Sequence, residues 1–190
     1  GVVSPFGTTH QSFVENLLQG KSAVASVSAF DVSQCVTTLA AETSSFQPTD
    51  WLPPMRLRRL ERTGVYAVAL TRLAFDDAGY QSKPDGDDEA GVVLGTWTAG
   101  GQSSETYLDA LFTGGPQRAP ALLFESTVGN ASASLAALEY KLRGPNATIS
   151  HKEASGLVAI ATAVDMLRLG GAKHLLTGGV DVTFETFYRA

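Results

Sequence analysis

The sequence predicts an α/β fold, a mixed and mostly parallel sheet with helices on both faces, and three observations carry that prediction. Two apolar runs, Val92 to Gly95 and Lys173 to Val180, have the length and near-continuous hydrophobicity of strands buried on both faces. Segments with helical spacing alternate with them in a βαβ rhythm. Glycines close those segments, as at Gly79 and Gly170-Gly171. With 190 residues, 19.9 kDa and 44% hydrophobic content, the chain fits one domain with a sizeable core.

Each element follows in order. Gly1 to Gly7 reads as the exit of a strand into a turn, and that strand needs residues before Gly1. Phe13, Leu17 and Leu18 give a short amphipathic helix stopped at Gly20. Residues 30 to 56 are rich in Ser, Thr and Gln and carry Pro53-Pro54, which predicts loop with one short strand at Cys35 to Leu39. Met55 to Gly79 reads as one helix, then Gln81 to Ala90 as an acidic loop before the first buried strand. Helices are expected around Tyr107 to Phe112 and over Thr127 to Leu142, then a short strand at Ala147 to Ser150. Ala154 to Leu169 is a helix apolar around most of its circumference, which calls for burial on every side.

Composition narrows the function classes. Fourteen Lys and Arg against 19 Asp and Glu give a net charge of -5, a field that repels a nucleic-acid backbone. No apolar run reaches the roughly 20 residues of a membrane span, and the first residues lack a secretory signal pattern, so a cytoplasmic protein is expected. Cys35 is the single cysteine, which excludes an intrachain disulfide and a multi-cysteine metal cluster. No cofactor is expected. The Asn-X-Ser/Thr matches at Asn130 and Asn146 carry no weight in such a compartment.

The chemistry centres on one turn. A nucleophile placed between a strand and a helix has its side chain exposed, and the helix N-terminus offers free N–H groups to an anion. After Gly144-Pro145-Asn146 and the short strand, that position holds Glu153, followed by Ala154-Ser155-Gly156. A carboxylate is a far weaker nucleophile than a thiolate, and its attack on a thioester gives a reactive anhydride instead of a stored acyl group. The helix N-terminus is expected to favour the ionised form of Glu153.

The run from Gly144 to Gly156 resembles the nucleophile turn of β-ketoacyl synthases, with Glu153 where their cysteine stands. Further landmarks follow in family order: Gly1-Val2-Val3-Ser4-Pro5-Phe6-Gly7, Gly95 with Gly100-Gly101, Ser126-Thr127-Val128-Gly129-Asn130, and Gly170-Gly171-Ala172 leading to Gly178-Gly179-Val180-Asp181. The resemblance implies a thiolase-like fold, of which residues 1–190 are one βαβαβ half: an N-terminal domain without its first strand and without the C-terminal half. The family's two catalytic histidines come from that second half, so His10, His151 and His174 match neither.

What the resemblance implies about function is an inactive partner of the chain-length-factor type. Such a subunit pairs as a heterodimer with an active ketosynthase in polyketide or fatty acid biosynthesis and meets an acyl carrier protein bearing a phosphopantetheine-bound chain. The alternatives are a malonyl-carrier-protein decarboxylase of the loading-ketosynthase type, or an ordered fragment of a longer ketosynthase-like protein. Glutamine is the common replacement in both branches, and glutamate matches neither. By the same resemblance the acyl pocket and interface residues are Leu122, Leu123, Phe124, Asn130, Asn146, Thr148, Ser150 and Lys152.

Three other features have plainer readings. If the strand continues through the turn, alternation puts His151, and not Lys152, on the side of Glu153. Cys35 has no basic neighbour in sequence and reads as an unreactive thiol. Gly95 to Gly101 lacks both the lysine of a P-loop and dinucleotide-type glycine spacing, which leaves a close-packed turn.

Overall fold

The computed structural model describes residues 1–189. Its centre is a three-stranded, wholly parallel sheet in the order β4-β3-β5, formed by β3 (Ala90–Gly95), β4 (Asn146–Ile149) and β5 (His174–Gly179). The one antiparallel ladder is a separate ribbon of β1 (Ala25–Ser26) and β2 (Leu39–Ala40). β3 is buried at every position, as its unbroken apolar run requires.

Alternation along β3 sorts the core into two layers. Val92 and Leu94 face α3 (Arg62–Ala78) and α5 (Ala131–Tyr140), in a cluster with Val65, Val68, Ala133 and Ala136. Val93 faces α6 (Ser155–Arg168) and packs on Ala159 and Ala163. Helices therefore cover both faces, and β3, α5, β4, α6 and β5 form the βαβαβ unit. The far side of α6 has no layer over it: Leu157, Ile160, Val164 and Leu167 form an exposed stripe, Leu157 at 74%. The all-round apolar character of this helix is thus half used within the chain.

Several elements differ from the sequence expectation. The helix expected from Met55 is two pieces, α2 (Pro54–Leu57) and α3, because Glu61 leaves helical geometry to cap another segment. Cys35 and Val36 form a bend and Thr37 and Thr38 are irregular, and the strand begins only at Leu39, where Ala25 and Ser26 pair with it. A 3-10 segment at Ala121–Ser126 precedes α5, which starts at Ala131 instead of Thr127. α1 (His10–Leu18) and α4 (Gly101–Gly114) bracket their expected residues, and α7 (Glu185–Arg189) carries no sequence signal of its own. No helix among the described residues is long and apolar enough to cross a membrane.

The entry to β3 is fixed by Asp87, whose carboxylate accepts from Lys83 Nζ at 2.7 Å, Tyr80 Oη at 2.8 Å and the Glu89 N–H at 3.1 Å. The hydrogen bond from Lys83 is the main cause that holds the Asp87 carboxyl down at about 2, and Tyr80 is pushed up to about 12 by burial and by Asp87. Since the folded value lies below the unfolded 3.8, the stability Asp87 contributes is present above pH ~4 and is lost as pH falls toward about 2. Urea titrations between pH 5 and 2 will show a steeper acid loss for the wild type than for Asp87→Asn.

Candidate functional site

The turn at the end of β4 is shaped by backbone and by one buried serine. Ser155 Oγ accepts from the His151 N–H at 2.8 Å and donates to the Lys152 carbonyl at 2.5 Å, which closes the turn on itself. Lys152 has φ 49, in the left-handed region that a non-glycine residue enters only when its surroundings impose it. The strand ends at Ile149, so the alternation that placed His151 on the side of Glu153 does not extend through the turn. Close backbone contact also holds the turn. A Cβ on Gly95 would lie 2.2 Å from the Ser155 carbonyl carbon and oxygen, and one on Gly156 would lie 3.2 Å from Gly179 Cα.

Glu153 stands just before the cap residue Ala154 of α6, exposed, and its carboxylate has no hydrogen bond or ion pair among the described residues. No group of three metal-ligating side chains occurs among those residues either. His174 lies at the opposite end of β5 from the turn, roughly 16 Å away at strand rise, with its ring edge on Tyr80. The turn therefore presents a carboxylate in a frame held by backbone bonds, with no base or second nucleophile bonded to it among the described residues.

The expected interface residues fall on two elements. Asn146 and Thr148 lie on β4, with Ser150 and Lys152 exposed beyond it. Asn146 Nδ2 donates to the Ala133 carbonyl at 3.4 Å, and Thr148 Oγ1 is buried without a partner. Leu122, Leu123 and Phe124 lie on the 3-10 segment against α4, where Phe124 meets the Tyr107 ring at 5.7 Å. Leu122 and Phe124 are more than half exposed, whereas Leu123 is partly buried. Asn130 is exposed at the cap position of α5, and its side chain makes no capping bond.

Two carboxylates that sequence reasoning left without a role organise the loop after β3. Asp181 Oδ1 accepts from Trp97 N–H at 2.7 Å, Thr98 N–H at 2.8 Å, Thr98 Oγ1 at 2.9 Å and Thr96 Oγ1 at 3.0 Å. Glu61 accepts from Gly100 N–H at 2.7 Å and Gln102 N–H at 3.3 Å. Burial pushes the Glu61 carboxyl above the ordinary value, against the pull of those N–H groups. The N–H groups that a phosphate cradle would need are thus already bound to the protein's own carboxylates. The available signal was Asp181 after Gly178-Gly179, while Glu61 follows no such landmark, and the partners of both lie far away in sequence.

Cys35 also differs from expectation, because α7 brings Arg189 Nη1 to 3.9 Å from its sulfur. A wide cleft of 930 Å³ opens between residues 27–30, 40–48, the start of α3 and residues 179–188. None of the expected interface residues lines it, and neither does Glu153.

Residues 1–188 match the family model described as the β-ketoacyl synthase N-terminal domain. The chain is 30% identical over 182 residues to the 3-oxoacyl-[acyl-carrier-protein] synthase 2 of Coxiella burnetii, covering 96% of this chain and 44% of that protein. It is 27% identical over 181 residues to the enzyme of the same name from Synechocystis, covering 95% and 44%. Among solved structures it is similar to the ishigamide ketosynthase/chain length factor, with TM-score 0.82, 24% identity and coverage of 95% and 51%. A β-ketoacyl synthase from Burkholderia phymatum gives TM-score 0.75 at 26% identity, covering 90% of this chain and 42% of that one. The thiolase-like fold is that of these ketosynthases, and the chain spans about half the length of the relatives it matches.

Proposed function

The chain belongs to the β-ketoacyl synthase family, and from that premise we propose that it is a non-catalytic subunit of the chain-length-factor type. It pairs with an active β-ketoacyl synthase in type II polyketide or fatty acid biosynthesis and shapes the pocket that receives the growing acyl chain. The observation that carries the reading is Glu153, a carboxylate at the nucleophile position of a turn whose frame is otherwise intact. A thiolate there would store an acyl group as a thioester; a carboxylate gives no storable acyl-enzyme.

Two surface features support a role at an interface. The stripe Leu157, Ile160, Val164 and Leu167 leaves α6 apolar toward solvent. Leu122 and Phe124 project from the 3-10 segment, beside Leu123, where the family resemblance places a contribution to the partner's acyl pocket. On the same basis Asn146, Thr148, Ser150 and Lys152 belong to the pairing edge, and Asn130 to the segment behind it.

The likeness to a ketosynthase/chain length factor supports an active ketosynthase as partner. A second similar structure, 17% identical with TM-score 0.80, is described as a type II polyketide synthase acyl-carrier protein in complex with its ketosynthase bound to the hexaketide. It supports an acyl carrier protein, with its phosphopantetheine-bound chain, as the other partner.

Co-expression with an active β-ketoacyl synthase tests the proposal. The two chains are expected to co-elute in size-exclusion chromatography, and Phe124→Ala is expected to change the length distribution of the products. Separate elution with unchanged products would overturn the reading. Carbon dioxide release from malonyl carrier protein by the pair, abolished by Glu153→Ala, would replace it with the decarboxylase.

A further inference from the structure

α4 starts without a cap of its own. Gly100 precedes it at φ +83 and contributes no side chain to its free N–H groups. The acceptors come instead from Glu61, 39 residues earlier in the chain: Oε2 takes the Gly100 N–H at 2.7 Å and Oε1 the Gln102 N–H at 3.3 Å. Glu61 is 9% exposed, and its remaining partner is the Thr63 hydroxyl at 3.5 Å.

The same link between α2 and α3 also holds the 3-10 segment. The carbonyl of Arg59 accepts from the buried Ser126 Oγ at 3.2 Å. A third bond closes the ring, from Ser104 Oγ to the Thr127 carbonyl at 3.2 Å. Gly100 passes so near that a Cβ there would lie 2.6 Å from the same carbonyl oxygen. Residues 59–61, 100–104 and 126–127 are thereby fixed to one another, and the Tyr107 ring carries the constraint to Phe124.

A serine or aspartate at position 100 would cap α4 alone. A carboxylate reaching across from position 61 also fixes α4 relative to the start of α3. It does so from a buried place that opposes its ionisation, so helix capping by itself is a poor account of it.

We propose that Glu61 is a positioning residue: through the start of α4 it sets the placement of the Ala121–Ser126 segment, and with it the surface formed by Leu122 and Phe124. Its consequence for a partner rests on the pairing role proposed above.

Hydrogen exchange measured by mass spectrometry, with thermal melting, tests this on the wild type, Glu61→Gln and Ser126→Ala. Gln keeps the size of the side chain but sets an NH2 group against one of the two N–H donors. Exchange in 100–104 and 121–127 is expected to rise roughly tenfold in Glu61→Gln, with β3 amides unchanged and the melting temperature within about 3 °C. Ser126→Ala is expected to loosen 121–127 alone, which reads the bond to Arg59 separately, and Glu61→Asp, whose shorter side chain keeps the charge but not the reach to both N–H groups, is the second variant if Glu61→Gln does not fold. Exchange that rises equally in β3, or does not rise in 121–127 when Glu61 is substituted, overturns the proposal. If the segment loosens while pairing with the ketosynthase is unchanged, the positioning role stands and the assignment of Leu122 and Phe124 to the interface falls.

Discussion

Gly95→Ala will cost the protein more than about 3 kcal/mol of stability, although it adds a single methyl group. Gly95 is the last residue of β3, and the added Cβ would meet the Ser155 carbonyl carbon and oxygen at 2.2 Å and the Gly156 nitrogen at 2.5 Å. All three are backbone atoms in the first turn of α6, so no side-chain rotation relieves the clash. Relief requires α6 to lift from the sheet, which opens the packing of Ala159 and Ala163 on Val93. Overpacking a core commonly costs about 1–3 kcal/mol, and a clash with backbone on both sides should exceed the top of that range. Against the ~5–15 kcal/mol that holds an ordinary domain, such a loss removes a large fraction of the stability. Gly129→Ala is the matched control: a Cβ there meets nothing within 4 Å, and its change in unfolding free energy should stay within about 0.5 kcal/mol. Far-ultraviolet circular dichroism and urea denaturation of the two variants read the contrast directly. A Gly95→Ala variant whose unfolding free energy falls by less than about 1 kcal/mol would show that the close approach of β3 and α6 is not required.

That contact also marks how far the fold was legible in the sequence. β3 could be read because a strand buried on both faces must be apolar along its length; β5, equally apolar in sequence, is an edge strand of the described sheet with no fully buried position, and both end in glycines where α6 crosses. α6 could be read because its apolar residues exceed what one face needs, and the exposed stripe accounts for the surplus. The break between α2 and α3 was not legible. Helical spacing runs through it, and Glu61 leaves that spacing to serve Gly100, whose position only the tertiary fold brings near. The ribbon at Leu39 and Ala40 is set by Ala25 and Ser26 pairing from elsewhere, not by the character of Cys35 to Thr38. At the site, the turn at Glu153 was visible as a local motif, since Ser155 and Gly156 lie within three residues of it. Asp181 was visible only as a landmark, because the Thr96 hydroxyl it accepts from is 85 residues away.

Glu153→Cys will gain one reactive thiol at the turn and no condensing activity. The frame of the turn does not use the glutamate side chain: Ser155 bonds to the backbone of His151 and Lys152, and the close contacts run through Gly95 and Gly156. Exchange at this exposed position should therefore change stability by no more than about 0.5 kcal/mol. A thiol just before the first turn of α6 gains from the free N–H groups and the positive end of the helix, which lowers its pKa and raises its thiolate fraction at neutral pH. In a Cys35→Ser background, intact mass after iodoacetamide should show a single adduct, where the Cys35→Ser protein alone shows none. Condensation needs more than a nucleophile, because decarboxylation of the extender unit must also be assisted. His174 lies at the far end of β5, and His10 lies at the start of α1. His151 has its backbone tied into the turn by Ser155. With an acyl thioester and malonyl carrier protein supplied, residues 1–190 carrying this substitution should release no β-ketoacyl product. An unlabelled thiol would mean that the turn is not open to substrate-sized reagents. A condensation product would show that a cysteine at position 153 is enough for condensation, and it would overturn the argument that residues 1–190 lack the rest of the machinery.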